Sequence, residues 1–116
     1  MVTIDEKYQR VLAALMLDGV DRETAEYFIR YHDANRQIWN WFEAFTIQAI
    51  RAGRKLGSKA IAERVRWEAN MGVRKGVFKL NNNYPAYYAR MFGMKYPQHK
   101  NYFNKRKVRG LKKEAA

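Results

Sequence analysis

The stretch Asn35-Arg36-Gln37-Ile38-Trp39-Asn40-Trp41-Phe42-Glu43-Ala44-Phe45-Thr46-Ile47-Gln48-Ala49-Ile50-Arg51-Ala52-Gly53 decides the fold class. It opens on a residue suited to cap a helix and closes on a glycine suited to stop one. Between them Ile38, Trp41, Phe42, Phe45 and Ala49 recur at helical spacing, while Trp39, Ile47 and Ile50 spread the apolar surface around most of the cylinder. A helix apolar on so many sides is either the central core element or faces a second protein as well, and the general rule favours the core. If a partner is met there, Trp39 and Trp41 are the residues to meet it, and the same surface would serve a homodimer.

Upstream, Thr3 and Glu6 form a capping box, followed by Ile4, Tyr8, Val11, Leu12, Leu15 and Met16 at helical spacing up to Gly19. Asp21 then caps a second helix carrying Ala25, Phe28 and Ile29. Downstream, Ser58 caps a fourth helix over 59–71, with Ile61, Ala62, Val65 and Ala69 inward and Lys59, Glu63, Arg66 and Asn70 outward. Gly72 and Gly76 bracket its exit, and Val77 to Leu80 is short and β-prone. Asn81-Asn82-Asn83-Tyr84-Pro85 reads as a cap and a first-turn proline for a fifth helix that ends near Tyr96-Pro97. Pro85, Tyr88, Ala89 and Phe92 make its expected inward face, with Asn83, Tyr87, Arg90 and Met94 roughly opposite. The expectation is a mainly α, compact helical domain of about five helices over 1–109, an acidic aromatic scaffold at 1–53 and a basic part at 58–109. A small β-ribbon or wing would pair 77–80 with 98–109, and 110–116 would be a basic flexible tail.

Composition sets the partner class. Of 116 residues 23 are Lys or Arg and 11 are Asp or Glu, a net charge of +12, and the imbalance is not uniform. Residues 1–50 hold 5 basic against 8 acidic side chains, and residues 51–116 hold 18 against 3. So much positive charge in one half repels itself unless a polyanion relieves it, which points to nucleic acid, with DNA favoured over RNA. Apolar residues at 47% and aromatics at 15% distinguish the chain from disordered basic tails. With no cysteine there is no disulfide framework or thiolate metal site. The run Val11–Leu17 is too short for a membrane span and lacks a cleavage site, so the expected location is cytoplasmic, with no membrane partner.

The fourth and fifth helices with the following basic segment have the proportions of a helix-turn-helix variant, although about eleven residues separate the two helices instead of three or four. In that reading Asn82, Asn83, Tyr87 and Arg90 reach a groove, since Asn pairs with adenine and Arg with guanine. Lys59, Arg66, Lys79, Lys105, Arg106, Lys107 and Arg109 would hold phosphates. A chemical role finds less support. Gly53 to Lys59 departs from the phosphate-loop order and follows a helix, His32 and His99 have no second ligand at metal spacing, and Glu63 and Glu68 are the only acids between Arg51 and Arg109. No catalytic residue, metal or cofactor is expected.

Glu63-Arg64-Val65-Arg66-Trp67-Glu68, Phe78-Lys79-Leu80-Asn81-Asn82-Asn83-Tyr84 and Tyr88-Ala89-Arg90 resemble a family of small uncharacterised bacteriophage and prophage proteins. The resemblance spans 59–109 and implies a phage origin without an established activity. Two functions stand as expectations: a small phage DNA-binding or transcription-regulating protein, or a phage protein that binds and inhibits a host protein as an anti-defence or takeover factor.

Overall fold

Glycine and aspartate punctuate the chain into helices where the backbone requires it. The computed structural model describes residues 6–71 and 80–103. A 3-10 turn at Glu6–Tyr8 leads into α1, Gln9–Leu17, followed by α2, Arg22–Ala34, α3, Arg36–Arg51, α4, Ser58–Met71, and α5, Tyr84–Lys95, with a second 3-10 turn at Pro97–His99. No strand occurs among the described residues. Thr3 and most of the expected ribbon, 77–79 and 104–109, lie outside them.

Gly19 and Gly53 end α1 and α3 in the left-handed region, at φ 101° and 71°. Past each glycine the chain reaches back: Val20 N–H donates to Leu15 O at 3.0 Å and Arg54 N–H to Ala49 O at 2.9 Å. Asp21 caps α2 as expected, accepting from Thr24 N–H at 3.1 Å and from the Thr24 hydroxyl at 2.7 Å. Those bonds hold its carboxyl below the usual carboxylate range.

Two expected caps differ in detail. The Asn35 side chain does not cap α3; its amide donates to Tyr31 O at 2.9 Å, closing α2 instead. A single residue joins the two helices, so its side chain satisfies the orphan carbonyls behind it. At α4 the carbonyl of Gly57 accepts from Ile61 N–H at 3.2 Å, which starts the helix at Ser58 itself.

Burial follows the predicted faces of α2, α3 and α4. Ala25, Phe28 and Ile29, then Ile38, Phe42, Phe45 and Ala49, then Ile61, Ala62, Val65 and Ala69 are all buried. Trp39 belongs to this core and not to a partner surface: it is 6% exposed and stacked on Tyr88 at 6.0 Å and Phe42 at 6.3 Å. Trp41 is half-buried against the same core.

The largest departure concerns α5. Both its faces are covered, with Tyr84, Pro85, Tyr87, Tyr88, Ala89, Met91 and Phe92 all buried. It packs against α4, α1 and α3, while Phe28 from α2 meets Tyr84, Tyr87 and Tyr88 edge to face at 4.9, 5.3 and 5.0 Å. Tyr87, placed by periodicity on an outer face, has no exposed surface because the first two helices close over that side. Glu43 of α3 ties down the far end of α5, accepting from Lys95 Nζ and the Tyr96 hydroxyl, both at 2.6 Å. These bonds raise the pKa of Lys95 and of Tyr96.

His32 sits inside this aromatic cluster, 3% exposed, with Tyr8, Phe28, Trp39 and Tyr88 around its ring and no partner for Nδ1. Burial, reinforced by the Arg36 charge, pushes its pKa down from 6.5 to about 4. The unfolded chain therefore binds a proton that the folded chain refuses as pH falls below 6.5, and the stability present above that value is lost progressively down to about 4. Thermal melts across this window should fall steeply for the native chain and more shallowly for His32→Phe. Identical slopes would remove His32 as the cause. Phe28→Ala should cost about 3–5 kcal/mol in denaturant unfolding, as for other large aromatic deletions.

Candidate nucleic-acid interface

Between α3 and α4 the chain makes a short loop in which every charged side chain is basic. Arg51, Arg54, Lys55 and Lys59 fall within nine residues without an acid, and all four are exposed. The loop cannot be the phosphate loop of a nucleotide enzyme: it joins two helices, with Gly53 as the stop of one and Ser58 as the start of the next.

Tyr102 fastens this loop to the end of the described chain. Its hydroxyl donates to Arg54 O at 2.6 Å and accepts from Leu56 N–H at 2.9 Å. Lys55 Nζ donates to the carbonyls of Tyr102 and Asn101, and the ammonium stands 5.0 Å from the Tyr102 ring centroid. Phe103 is buried beside Phe42 and Phe92 at 5.8 and 6.0 Å. The sequence after Phe103 is Asn104-Lys105-Arg106-Lys107-Val108-Arg109, the densest basic run of the chain, which lies outside the described residues.

The outer face of α4 continues from the loop. Lys59, Glu63 and Trp67 follow at four-residue spacing, and Trp67 is 58% exposed. Two cations of this helix are partly engaged: Arg66 lies 3.5 Å from Glu63, and Arg64 lies 3.9 Å from Glu68 and over the Phe45 ring at 4.3 Å. Both pairs are on the surface, where such contacts contribute little and yield to a stronger anion.

The expected site residues separate accordingly. Lys59 is exposed at the loop and Arg66 is half-buried on α4. Asn82 is exposed in the turn before α5, and Asn83 begins the helix without a side-chain cap bond. Tyr87 is in the core, and Arg90 is ion-paired with Asp18 and also donates to Ala86 O at 3.1 Å, leaving its side chain 10% exposed. Neither Tyr87 nor Arg90 presents a free surface to a groove. Lys79, Lys105, Arg106, Lys107 and Arg109 lie outside the described residues. Arg51, Arg54 and Lys55 were legible as members of a patch, but their grouping with Tyr102 depends on contacts 46 to 48 residues apart in sequence.

Among the described residues no cluster of His, Asp and Glu could hold a metal ion, and no helix is long and apolar enough to cross a membrane. Comparison with protein-family models, curated proteins and solved structures gives no match to this chain.

Proposed function

We propose that this protein binds nucleic acid, with duplex DNA the favoured target, through the phosphate backbone and without groove reading by α5. The observation that carries this reading is the anchoring of the chain's exit at Phe103 to the loop bearing Arg51, Arg54, Lys55 and Lys59. Residues 51–59 carry these four cations without an acid, and the basic run Lys105, Arg106, Lys107 and Arg109 follows Phe103 in the sequence. Such a surface suits phosphates by point charge, and the amides at the start of α4 add a favourable dipole. In a phage-encoded chain, as the sequence resemblance implies, this describes a small DNA-binding protein more readily than an operator-specific regulator.

The burial of Tyr87 and the Asp18 pairing of Arg90 support sequence-neutral binding, because two of the four residues suited to base edges are occupied within the fold. Exposed Trp67 supports a second mode, in which an unpaired base stacks on the indole while the loop holds the strand.

Fluorescence anisotropy of labelled duplex and single-stranded DNA with the full chain tests both. Binding at about 50 mM salt should weaken by roughly 10³-fold or more at about 200 mM if at least six phosphates are contacted. Complete absence of binding at the lower salt would sink the reading. Arg54→Ala and Lys59→Ala should each weaken all sequences alike and reduce the salt slope by about 1, while Asn83→Ala leaves sequence preference unchanged. A change of preference in Asn83→Ala would instead restore groove reading. Trp67→Ala should spare duplex binding and cost single-strand binding about 1–3 kcal/mol.

A further inference from the structure

The four cations of the loop after α3 are held in two different ways. Arg51 is the last residue of α3 and Lys59 lies in the first turn of α4, so each is placed by a helix. Arg54 and Lys55 lie between the helices, in a stretch bounded by Gly53 and Gly57. A Cβ at either glycine would meet nothing within 4 Å, so the backbone there stands clear of the body. Resting on the nucleic-acid reading above, we propose that Tyr102 and Lys55 are positioning residues. Together they clamp this stretch and hold Arg54 for a phosphate, while Lys55 itself contacts none.

One phenol oxygen closes both ends of the stretch 54–56. The Tyr102 hydroxyl donates to Arg54 O at 2.6 Å and accepts from Leu56 N–H at 2.9 Å, while Arg54 N–H donates to Ala49 O at 2.9 Å. The Arg54 backbone is therefore bonded on both sides, once to α3 and once to Tyr102. Between these points Lys55 turns its ammonium back to the carbonyls of Asn101 and Tyr102, 5.0 Å from the Tyr102 ring centroid, so two of its three donors go to the backbone. Tyr102 is itself fixed to the body. Its amide donates to His99 O at 3.0 Å, and its ring meets Phe103 edge to face at 5.0 Å, with Phe103 buried beside Phe42 and Phe92. Arg54, by contrast, is exposed, and its guanidinium has no ion-pair partner among the described residues.

A loop left free would lose its conformational entropy on meeting the ligand. The clamp takes that loss at folding instead, so binding tightens without any added phosphate contact. Its benefit falls on Arg54, because a guanidinium meets phosphate through a planar fork whose direction matters, whereas an ammonium acts as a point charge. The two roles leave different marks on the salt dependence. A cation that touches phosphate releases a counterion and steepens the slope, and one that only holds the loop does not.

The test is fluorescence anisotropy of labelled duplex DNA with the full chain across a salt series, together with amide hydrogen exchange read by NMR on the same variants. Tyr102→Phe keeps the ring and removes the hydroxyl. It should weaken binding roughly two- to ten-fold with the salt slope unchanged, and speed exchange at Leu56 N–H. Lys55→Met should also weaken binding and leave the slope unchanged, in contrast to the fall of about 1 expected for Arg54→Ala. In the Arg54→Ala background the effect of Tyr102→Phe on binding should shrink toward none, because the clamp acts through that side chain; a role in stability alone would add in full. Native affinity in Tyr102→Phe, unchanged exchange at Leu56, full additivity with Arg54→Ala, or a slope lowered by about 1 in Lys55→Met would each overturn the clamp and leave nucleic-acid binding standing. Failure of the native chain to bind at about 50 mM salt would overturn both.

Discussion

Phe28 stands at the convergence of three tyrosines from a single helix, and the rest of the molecule is arranged around that meeting. Tyr84, Tyr87 and Tyr88 present ring faces or edges to it within 4.9 to 5.3 Å, and Trp39 and Phe42 extend the same stack on the α3 side. Aromatic groups of this size dominate core energetics and prefer the edge-to-face and offset geometries seen here. With no disulfide to hold the helices together, this cluster is the main cross-link between the early and late parts of the chain. The polar ties Asp18 to Arg90, Glu43 to Lys95 and Tyr8 to Asp33 lie around its margin.

Burying five helices around one aromatic centre also separates the charges. Among the described acids of the first half, Asp18 and Asp21 flank the turn between α1 and α2, Glu23, Glu26 and Asp33 lie on α2 and Glu43 lies on α3. Of these, Glu26, Asp18 and Glu43 pair with Arg22, Arg90 and Lys95. Basic side chains of the second half gather at the loop after α3 and on the outer face of α4, with Arg90, Lys95 and Lys100 on or after α5.

Much of this was legible in the chain itself. Asp21, Gly19 and Gly53 marked helix ends by chemistry that depends only on neighbours, and the inward residues of α4 followed from a simple 3.6-residue period. The role of α5 did not, because its sequence carries apolar or aromatic residues on both sides and periodicity then selects one face where tertiary packing covers two. Tyr87 and Arg90 were misplaced for that reason. Trp39 illustrates the converse: breadth of apolar surface on α3 identified a core helix but gave no means of separating a core tryptophan from an interface one.

The position of α5 in the chain has a consequence for how the protein comes to be. It is the last α-helix described, yet Phe28, Trp39 and Phe42 from earlier helices rest on it. During synthesis those rings emerge from the ribosome well before Tyr88 and Phe92 arrive to cover them. The earlier helices can form, and α3 can meet α4, before α5 is made, but the aromatic rings that rest on α5 stay uncovered in that interval. A chain stopped before Tyr84 would leave Phe28, Trp39 and Phe42 without the rings that cover them.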